Sequence, residues 1–345
     1  MNVALVTSSG NILTHRVRGA GVYAENLSKS LKKYFPEDNF IETTPNKIPL
    51  KIDIVHFLYF EPFFLTLPIF KKGKLVVTVH DFIPFIFPKY FPRGIRGKIK
   101  WLIQKNLLKR CDALITDSES SKKDILKFTG IDSSRVKVAY LAVDRDFKKL
   151  TDKEKEETKL KYKLPENFLL YVGDVTWNKN LPRLIEAVEK LDIPLVLVGK
   201  ALANDNFDKN NPWNRDLSVV KDKIKGNKKI MVLGFVDKSD LVGLYNLAKV
   251  FVMPSFYEGF GFPILEAMSC GCPVVTSKTG SIPEVGGESV YYVDPYNTED
   301  ITKGILKVYS DKALQEKLSQ KGVIQAKNFS WEKTALETIN IYRNL

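Results

Sequence analysis

The sequence predicts an α/β chain of two doubly wound, Rossmann-like domains in succession, and three observations carry that expectation. Short β-branched or aromatic runs alternate with amphipathic helical patterns from end to end, the sequence form of a parallel sheet covered by helices on both faces. The alternation stops at a highly charged segment, Thr151 to Leu164, and then starts again. The length of 345 residues, 44% of them hydrophobic, suits two domains of about 150 residues and buries about three-quarters of the unfolded surface without a disulfide or metal staple. Ligands of doubly wound domains bind beyond the carboxyl ends of the strands. With two such domains facing a central cleft, that cleft is the expected site, and residues just after strands are its candidates.

In the first half the expected strands are Asn2 to Thr7, Ile54 to Phe60, Leu75 to His80, Ala113 to Thr116 and Val136 to Val138. Between them, Gly21 to Phe35 carries Val22, Leu27, Leu31 and Tyr34 near helical spacing, and Ser118 to Thr129 opens on cap-type serines. The charged segment begins at a cap-type Thr151 and ends at Pro165, so a helical junction between domains is expected there. In the second half, strands are expected at Phe168 to Val172, Pro194 to Val198, Ile230 to Leu233, Val250 to Met253 and Pro273 to Thr276. Helices are expected at Asn180 to Leu191, Ser239 to Ala248 and Pro263 to Ser269. The tail from Asp311 reads as helices, with Ser330 a cap before Trp331. The resulting domains are 1–163 and 164–329, with a final helix over 330–345 packing back towards the first.

Composition removes several function classes. Three cysteines (Cys111, Cys270, Cys272) and three scattered histidines (His15, His56, His80) do not make a disulfide framework or a zinc site. Cys270 and Cys272 read as small apolar residues. No basic region precedes the apolar run Val3 to Val6, so no signal peptide is expected. The most apolar stretch, Ile52 to Phe70, is interrupted by Asp53, His56, Glu61, Pro62 and Pro68, short of the roughly 20 apolar residues of a spanning helix. A cytoplasmic protein, peripheral on the inner face of the cell membrane, is the expectation. The net charge is +13, and Phe82 to Cys111 alone supplies +8, with eight basic residues and no acid. These cations do not interleave with a recognised nucleic-acid motif, so nucleic acid is not expected as a partner.

The most informative stretch is Pro254 to Gly271, PSFYEGFGFPILEAMSCG, directly after an expected strand. Glu258 lies in a glycine-containing loop, Pro263 suits the first helical position, and Glu266 is expected on the first turn of that helix. Free amides at a helix start flanked by Gly259 and Gly261 suit a phosphate. Carboxylates beside a phosphate are unfavourable unless they accept from hydroxyls, which a nucleotide sugar carries at both ends of its diphosphate. Taken alone, the residues leave a second reading equally open, with Glu258 a solvated loop acid and Glu266 a first-turn acid.

Glu258 and Glu266 in the frame E-G-F-G-F-P-x-x-E-A-M-x-x-G, followed by Pro273-Val274-Val275 and Pro283-Glu284, resemble the E-x7-E signature of the retaining glycosyltransferases of family 4, which have the GT-B fold. Gly19, Gly21 and Tyr23 resemble that family's N-terminal glycine loop. Val79-His80-Asp81 with Pro84 resembles its histidine motif, and Tyr171-Val172-Gly173 through Lys179-Asn180 resembles the start of its donor domain. The resemblance implies transfer of a hexose from a nucleotide diphosphate sugar with retained anomeric configuration and no further cofactor. GDP-mannose is the favoured donor and UDP-glucose the next. It implies that Glu266 holds the donor ribose and that Glu258, with the amides of Gly259, Phe260 and Gly261, faces the sugar. The amides of Ile264, Leu265 and Gly21 would face the diphosphate, Val236 would line the base pocket, and His80 would lie near the reacting centre.

Charge on a departing diphosphate must be stabilised, and with no metal motif that task falls to cations and amides. Lys179 is the candidate, because a lysine at a helix start is unfavourable without an anion partner. Together His80, Lys179 and Glu258 form the expected catalytic set. The family's arginine after the Tyr-Val-Gly glycine is replaced by Asp174, and Lys200 is a candidate substitute. A histidine ending an apolar strand is also readable as structural, and Ser118, Ser120 and Ser121 as caps.

An NAD(P)-dependent oxidoreductase is the alternative from another class. Gly19 to Ala24 fits G-x-G-x-x-G/A and Glu42 falls at the distance of a ribose-binding acid, but Ser8 to Arg18 place an 11-residue loop before the glycines. A non-catalytic sugar-binding protein is a further alternative. The acceptor is expected to be a saccharide or a lipid-linked saccharide. Residues 82–111 mix cations with Phe, Tyr, Trp and Leu, which fits an amphipathic helix on an anionic membrane. They fit equally a helix whose Trp101, Leu102, Leu107 and Leu108 pack on their own domain.

Overall fold

A computed structural model describes residues 1–7 and 19–345. The chain divides into two compact units, Met1–Ala142 with Phe329–Leu345, and Val143–Asn328. His15 and the expected 8–18 loop lie outside the described residues.

The first unit holds strands β1 (Asn2–Val6), β2 (Asn39–Thr43), β3 (Ile54–Phe57), β4 (Lys74–Thr78), β5 (Ala113–Thr116) and β6 (Val136–Val138). They form one sheet in the order β2-β1-β3-β4-β5-β6, and every pairing is parallel. Strands β3 and β5 are buried at every position, as expected of a parallel sheet covered on both faces. Strand β2 was not anticipated: Asn39 and Glu42 interrupt its apolar pattern at the sheet edge.

The helix Gly19–Tyr34 and the C-terminal helix Trp331–Arg343 both belong to this unit. A buried polar chain ties them to the sheet. The Tyr23 hydroxyl meets Thr78 Oγ1 at 2.8 Å, Thr78 Oγ1 meets His56 Nε2 at 2.8 Å, and His56 Nδ1 meets the Tyr342 hydroxyl at 2.5 Å. Burial, aided by the neighbouring His80, pushes the His56 pKa down to about 3, so its ring is neutral and serves as a structural link. Thr334 Oγ1 donates to the Tyr140 carbonyl at 2.6 Å, and the Ser330 side chain caps the helix through the Lys333 amide.

The second unit holds β7 (Leu169–Val172), β8 (Leu195–Val198), β9 (Ile230–Gly234), β10 (Val250–Met253), β11 (Val274–Ser277) and β12 (Tyr291–Val293). The sheet order is β12-β11-β10-β7-β8-β9, again all parallel, with the topological switch between β7 and β10. Strand β12 and the helices Arg215–Ile224 and Thr298–Ser310 add to the expected elements.

The charged segment folds as the helix Asp152–Tyr162, with Thr151 and Glu154 forming a reciprocal capping box. Sequence grouped it with the first domain, whereas it packs inside the second unit against the helix Lys238–Leu247. Gly243 permits the approach, since a Cβ there would fall 2.2 Å from Thr158 Oγ1. Asp240 accepts from Lys161 Nζ at 2.5 Å and from the Tyr162 hydroxyl at 2.8 Å, and Asn246 Oδ1 accepts from the Leu150 amide at 2.8 Å.

Candidate functional site

In the second unit, the segments leaving β7, β10, β11 and β12 are bonded to one another. Lys179 ends a short 3-10 turn, Trp177–Lys179, after β7, and Glu258 lies in the loop after β10. Lys179 Nζ donates to both carboxylate oxygens of Glu258, at 2.9 and 2.7 Å, and both side chains are largely buried. Two residues read separately in the sequence are therefore one ion pair. The anion that offsets Lys179 here is a carboxylate of its own chain.

The loops around this pair are fixed by side chains that sequence reasoning passed over. Asn178 Nδ2 donates to the Tyr257 carbonyl at 3.0 Å, and its own carbonyl accepts from the Phe256 amide at 2.7 Å. Asn180 adopts left-handed backbone with φ of 58°, a conformation that asparagine tolerates. Its Nδ2 donates to the Pro254 and Pro295 carbonyls at 2.9 and 2.8 Å. Ser281 Oγ lies 2.9 Å from the carbonyls of both Glu258 and Phe260. Gly280, with φ of +57°, has no room for a side chain because a Cβ would fall 2.7 Å from the Glu258 carbonyl. The signal that could have flagged this loop is Thr279-Gly280-Ser281 following a strand, a pattern of small polar residues where ligand loops sit.

Glu266 lies in the helix Phe262–Ser269, capped by Gly261 with φ of 105°. Pro263 is the second helical residue and Glu266 the fifth, one position beyond each expectation, because Phe262 begins the helix. Glu266 is thus past the first turn and gains little from the helix dipole. Tyr245 donates its hydroxyl to Glu266 Oε2 at 2.8 Å. Burial raises the Glu266 pKa to about 7, against the opposing effect of the Tyr245 hydrogen bond.

The two carboxylates are held in different environments. Glu258 is neutralised by Lys179, and Glu266 is half protonated near neutral pH. Gly259 and Phe260 are buried, and the Phe260 ring packs edge-on against Phe262 at 5.6 Å. The amides of Ile264 and Leu265 donate to the Gly261 carbonyl at 3.0 and 3.4 Å, so helix bonds already engage both. Val236 is buried and the preceding Phe235 is exposed. Lys200 is exposed at the start of a short helix, Lys200–Ala203, beyond β8. An aromatic stack, Trp177 on Phe256 at 4.4 Å and Phe256 against Tyr296 at 4.7 Å, backs the Lys179 turn.

In the first unit, His80 follows β4 and Asp117 follows β5; the two meet because these strands are neighbours. His80 Nδ1 lies 2.6 Å from Asp117 Oδ2. Burial opposes the charged ring, but the charge and hydrogen bond of Asp117 prevail and raise the His80 pKa above its ordinary value. Among the described residues, His80 Nε2 and Asp117 Oδ1 have no partner in hydrogen-bonding geometry. The Ser118 side chain accepts from the Ser121 amide as a helix cap, and Ser121 Oγ donates to the His80 carbonyl at 2.9 Å.

Gly19 and Gly21 are the first and third residues of a helix and not a strand-to-helix loop. Glu42 accepts from Ser28 Oγ at 2.7 Å and from Lys32 Nζ at 2.6 Å. Both features of the dinucleotide alternative therefore have structural roles.

Comparison with known proteins agrees with this fold. The family profile described as "Glycosyl transferases group 1" matches residues 152–324, and that described as "Glycosyltransferase Family 4" matches residues 38–147. The O-antigen chain mannosyltransferase B of Escherichia coli is 33% identical over 80% of this chain and 71% of its own. The serotype-specific mannosyltransferase WbdA of Escherichia coli is 30% identical over 76% of this chain, which spans 32% of that longer protein. The crystal structure of Anabaena HepE with UDP-glucose matches with a TM-score of 0.78 over 100% of both chains at 17% identity, a likeness of fold.

Proposed function

The chain belongs to glycosyltransferase family 4 and is a hexosyltransferase; from that premise, we propose that it transfers mannose, with retained configuration, from GDP-mannose to a saccharide or lipid-linked saccharide acceptor. The Lys179–Glu258 pair at the carboxyl ends of β7 and β10, with Glu266 on the helix that follows the β10 loop, is the observation that carries this reading. Mannose is supported by the names of the two Escherichia coli relatives, and glucose carried by UDP, the donor bound in HepE, is the second reading.

In this reading Glu266 accepts from the donor ribose hydroxyls and Glu258 from hydroxyls of the transferred hexose. Lys179 stabilises the diphosphate as it departs, and the backbone amides of Gly259 to Gly261 face the sugar. The bond from the hexose anomeric carbon to the phosphate oxygen breaks while the acceptor oxygen bonds to that carbon on the same face. The acceptor proton passes to the departing phosphate, so no protein base is required. His80 lies near the reacting centre, Gly21 supplies a further amide to the phosphates, and Val236 lines the base pocket. Cytoplasmic placement completes the proposal.

Calorimetric titration with a panel of nucleotide sugars tests it. GDP-mannose is expected to bind most tightly, and Glu266→Ala to weaken that binding by at least tenfold, as loss of charged hydrogen bonds does. Unchanged affinity in Glu266→Ala would sink the ribose assignment, and a response to NAD(P) alone would overturn the whole reading.

A further inference from the structure

The basic segment that dominates the net charge forms two helices, Ile83–Ile86 and Gly94–Lys109. The longer one is apolar on two opposite sides. One stripe, Gly97, Trp101, Gln104, Leu107 and Leu108, is buried, with Trp101 packed on Phe85 at 4.4 Å and on Phe82 at 5.5 Å. The other stripe, Ile95, Ile99, Leu102 and Ile103, repeats at helical spacing and faces solvent, Ile95 being 78% and Leu102 61% exposed. Of the apolar residues that sequence assigned jointly to a membrane or a core, Trp101, Leu107 and Leu108 are core and Leu102 is not.

The exposed stripe is extended by a second segment. Gln104 fastens the stretch Glu61–Leu67 to the helix, donating through Nε2 to the Glu61 and Phe64 carbonyls and to Thr66 Oγ1, and accepting from the Leu67 amide at 3.4 Å. Arg110 donates to the Ile69 carbonyl at 2.9 Å, fastening the far end. With its backbone held this way, the segment presents Phe64, Leu65, Ile69 and Phe70 to solvent, Phe70 being 83% exposed. Lys100 Nζ lies 5.2 Å over the Phe64 ring, joining the two apolar parts through a cation. Between Pro62 and Arg110 there are eleven Lys and Arg residues, and Asp81 is the single acid. Exposed contiguous apolar surface of this kind marks an interaction site. Five cations and no acid lie on the helix, and Glu61 at the edge of the fastened segment is the one carboxylate on the two elements, a balance that matches a surface of phosphate headgroups over hydrocarbon.

We propose that the first unit docks on an anionic phospholipid membrane through this two-part platform, the outer stripe of helix 94–109 and the fastened segment 61–70. The inference deepens the reading of a lipid-linked acceptor and rests on it for its purpose, though not for its test. Among the described residues no helix is long and apolar enough to cross a membrane, so the contact is peripheral.

Co-sedimentation of the full chain with vesicles of phosphatidylcholine, with and without phosphatidylglycerol, tests the proposal. Binding is expected to the anionic vesicles alone and to fall steeply with added salt. Phe64→Ser with Phe70→Ser should weaken it at least tenfold by removing inserted apolar area. Arg96→Gln and Lys98→Gln should each weaken it about fivefold, the effect of one cation near the surface. Nucleotide-sugar affinity should be unchanged in every variant, which certifies their folding and separates this inference from the donor reading. Failure to bind anionic vesicles, equal binding by the aromatic double variant, or a dimer in sedimentation that the same substitutions dissolve would each overturn it.

Discussion

The carboxyl ends of the two sheets differ in how their charged side chains are held. In the second unit the charged and amide side chains there are bonded from within, Lys179 by Glu258, Glu266 by Tyr245, and Asn178 and Asn180 by carbonyls of the neighbouring loops, while the buried Ser255 hydroxyl has no partner in hydrogen-bonding geometry among the described residues. In the first unit His80 and Asp117 bond to each other, and each keeps one atom without a partner in hydrogen-bonding geometry among the described residues. The site in the second unit is preorganised, since these bonded groups are already held by their own fold before any ligand arrives. The unsaturated pair retains bonding capacity, and buried polar atoms without partners cost free energy.

Four experiments would break or sharpen that contrast. The largest effect is expected from Lys179→Ala, which should cut turnover about a hundredfold or more by removing one charge-stabilising donor. It should also destabilise the fold by about 3–5 kcal/mol, because Glu258 is left buried and unpaired. Steady-state kinetics and urea melts read the two effects, and near-normal turnover would remove Lys179 from the mechanism.

Next comes the pH dependence of Glu266. A pKa of about 7 means that a carboxylate which must accept ribose hydroxyls becomes available as pH rises, so donor affinity should improve about tenfold from pH 6 to pH 8. Its folded pKa lies above the ordinary value of 4.5, so the folded state holds the proton longer, and this group's contribution to stability falls as pH rises from about 4.5 to about 7. Glu266→Gln, which keeps an acceptor for Tyr245, should therefore gain up to about 3 kcal/mol at pH 8 and nothing at pH 4 while losing donor affinity. Parallel titrations and melts at the three pH values check both signs.

A smaller effect is expected in the first unit. Asp117→Asn should lower the His80 pKa, which NMR titration of the ring would report, and cost about 1–3 kcal/mol of stability. Because the raised His80 pKa favours the folded state at low pH, the stability it contributes is lost as pH rises through the folded pKa, and the variant should lack that loss. An unmoved His80 titration would show that the pair is not coupled. The smallest effect is Thr151→Ala, which removes the capping box of helix 152–162 and should cost about 1 kcal/mol in a thermal melt without changing donor affinity.

Much of the fold was legible because its signals are local. Caps at Ser118, Thr151 and Ser330 act within three residues of themselves and bond as anticipated, whereas Ser120 and Ser121, also read as caps, lie inside the helix that Ser118 opens. Strands β5, β6 and β10 fall at their expected bounds, β5 and β10 because their buried apolar runs stand out against charged helices. Edge strands β2 and β12 were missed because one face of an edge is polar and its apolar run is short. Of the candidate site, Glu258, Glu266 and Lys179 could be read from their motifs. Asn180, Ser281 and Tyr245 could not, since each acts through a bond to a distant segment that no local pattern announces.

By itself, the sequence determined the fold class, the helix caps, the ligand-side placement of the charged residues and the family. Tertiary structure alone decided which of those residues meet. Lys179 and Glu258 are 79 positions apart and are joined because β7 and β10 are neighbours at the topological switch. His80 and Asp117 are 37 positions apart and are joined because β4 and β5 are neighbours. The same holds for helix 94–109, which carries two apolar stripes, of which the one holding Trp101 becomes core by packing on Phe82 and Phe85. The physical reason is common to all three. Local periodicity records which face of an element is apolar, while strand order and packing partners depend on contacts between segments far apart in the chain.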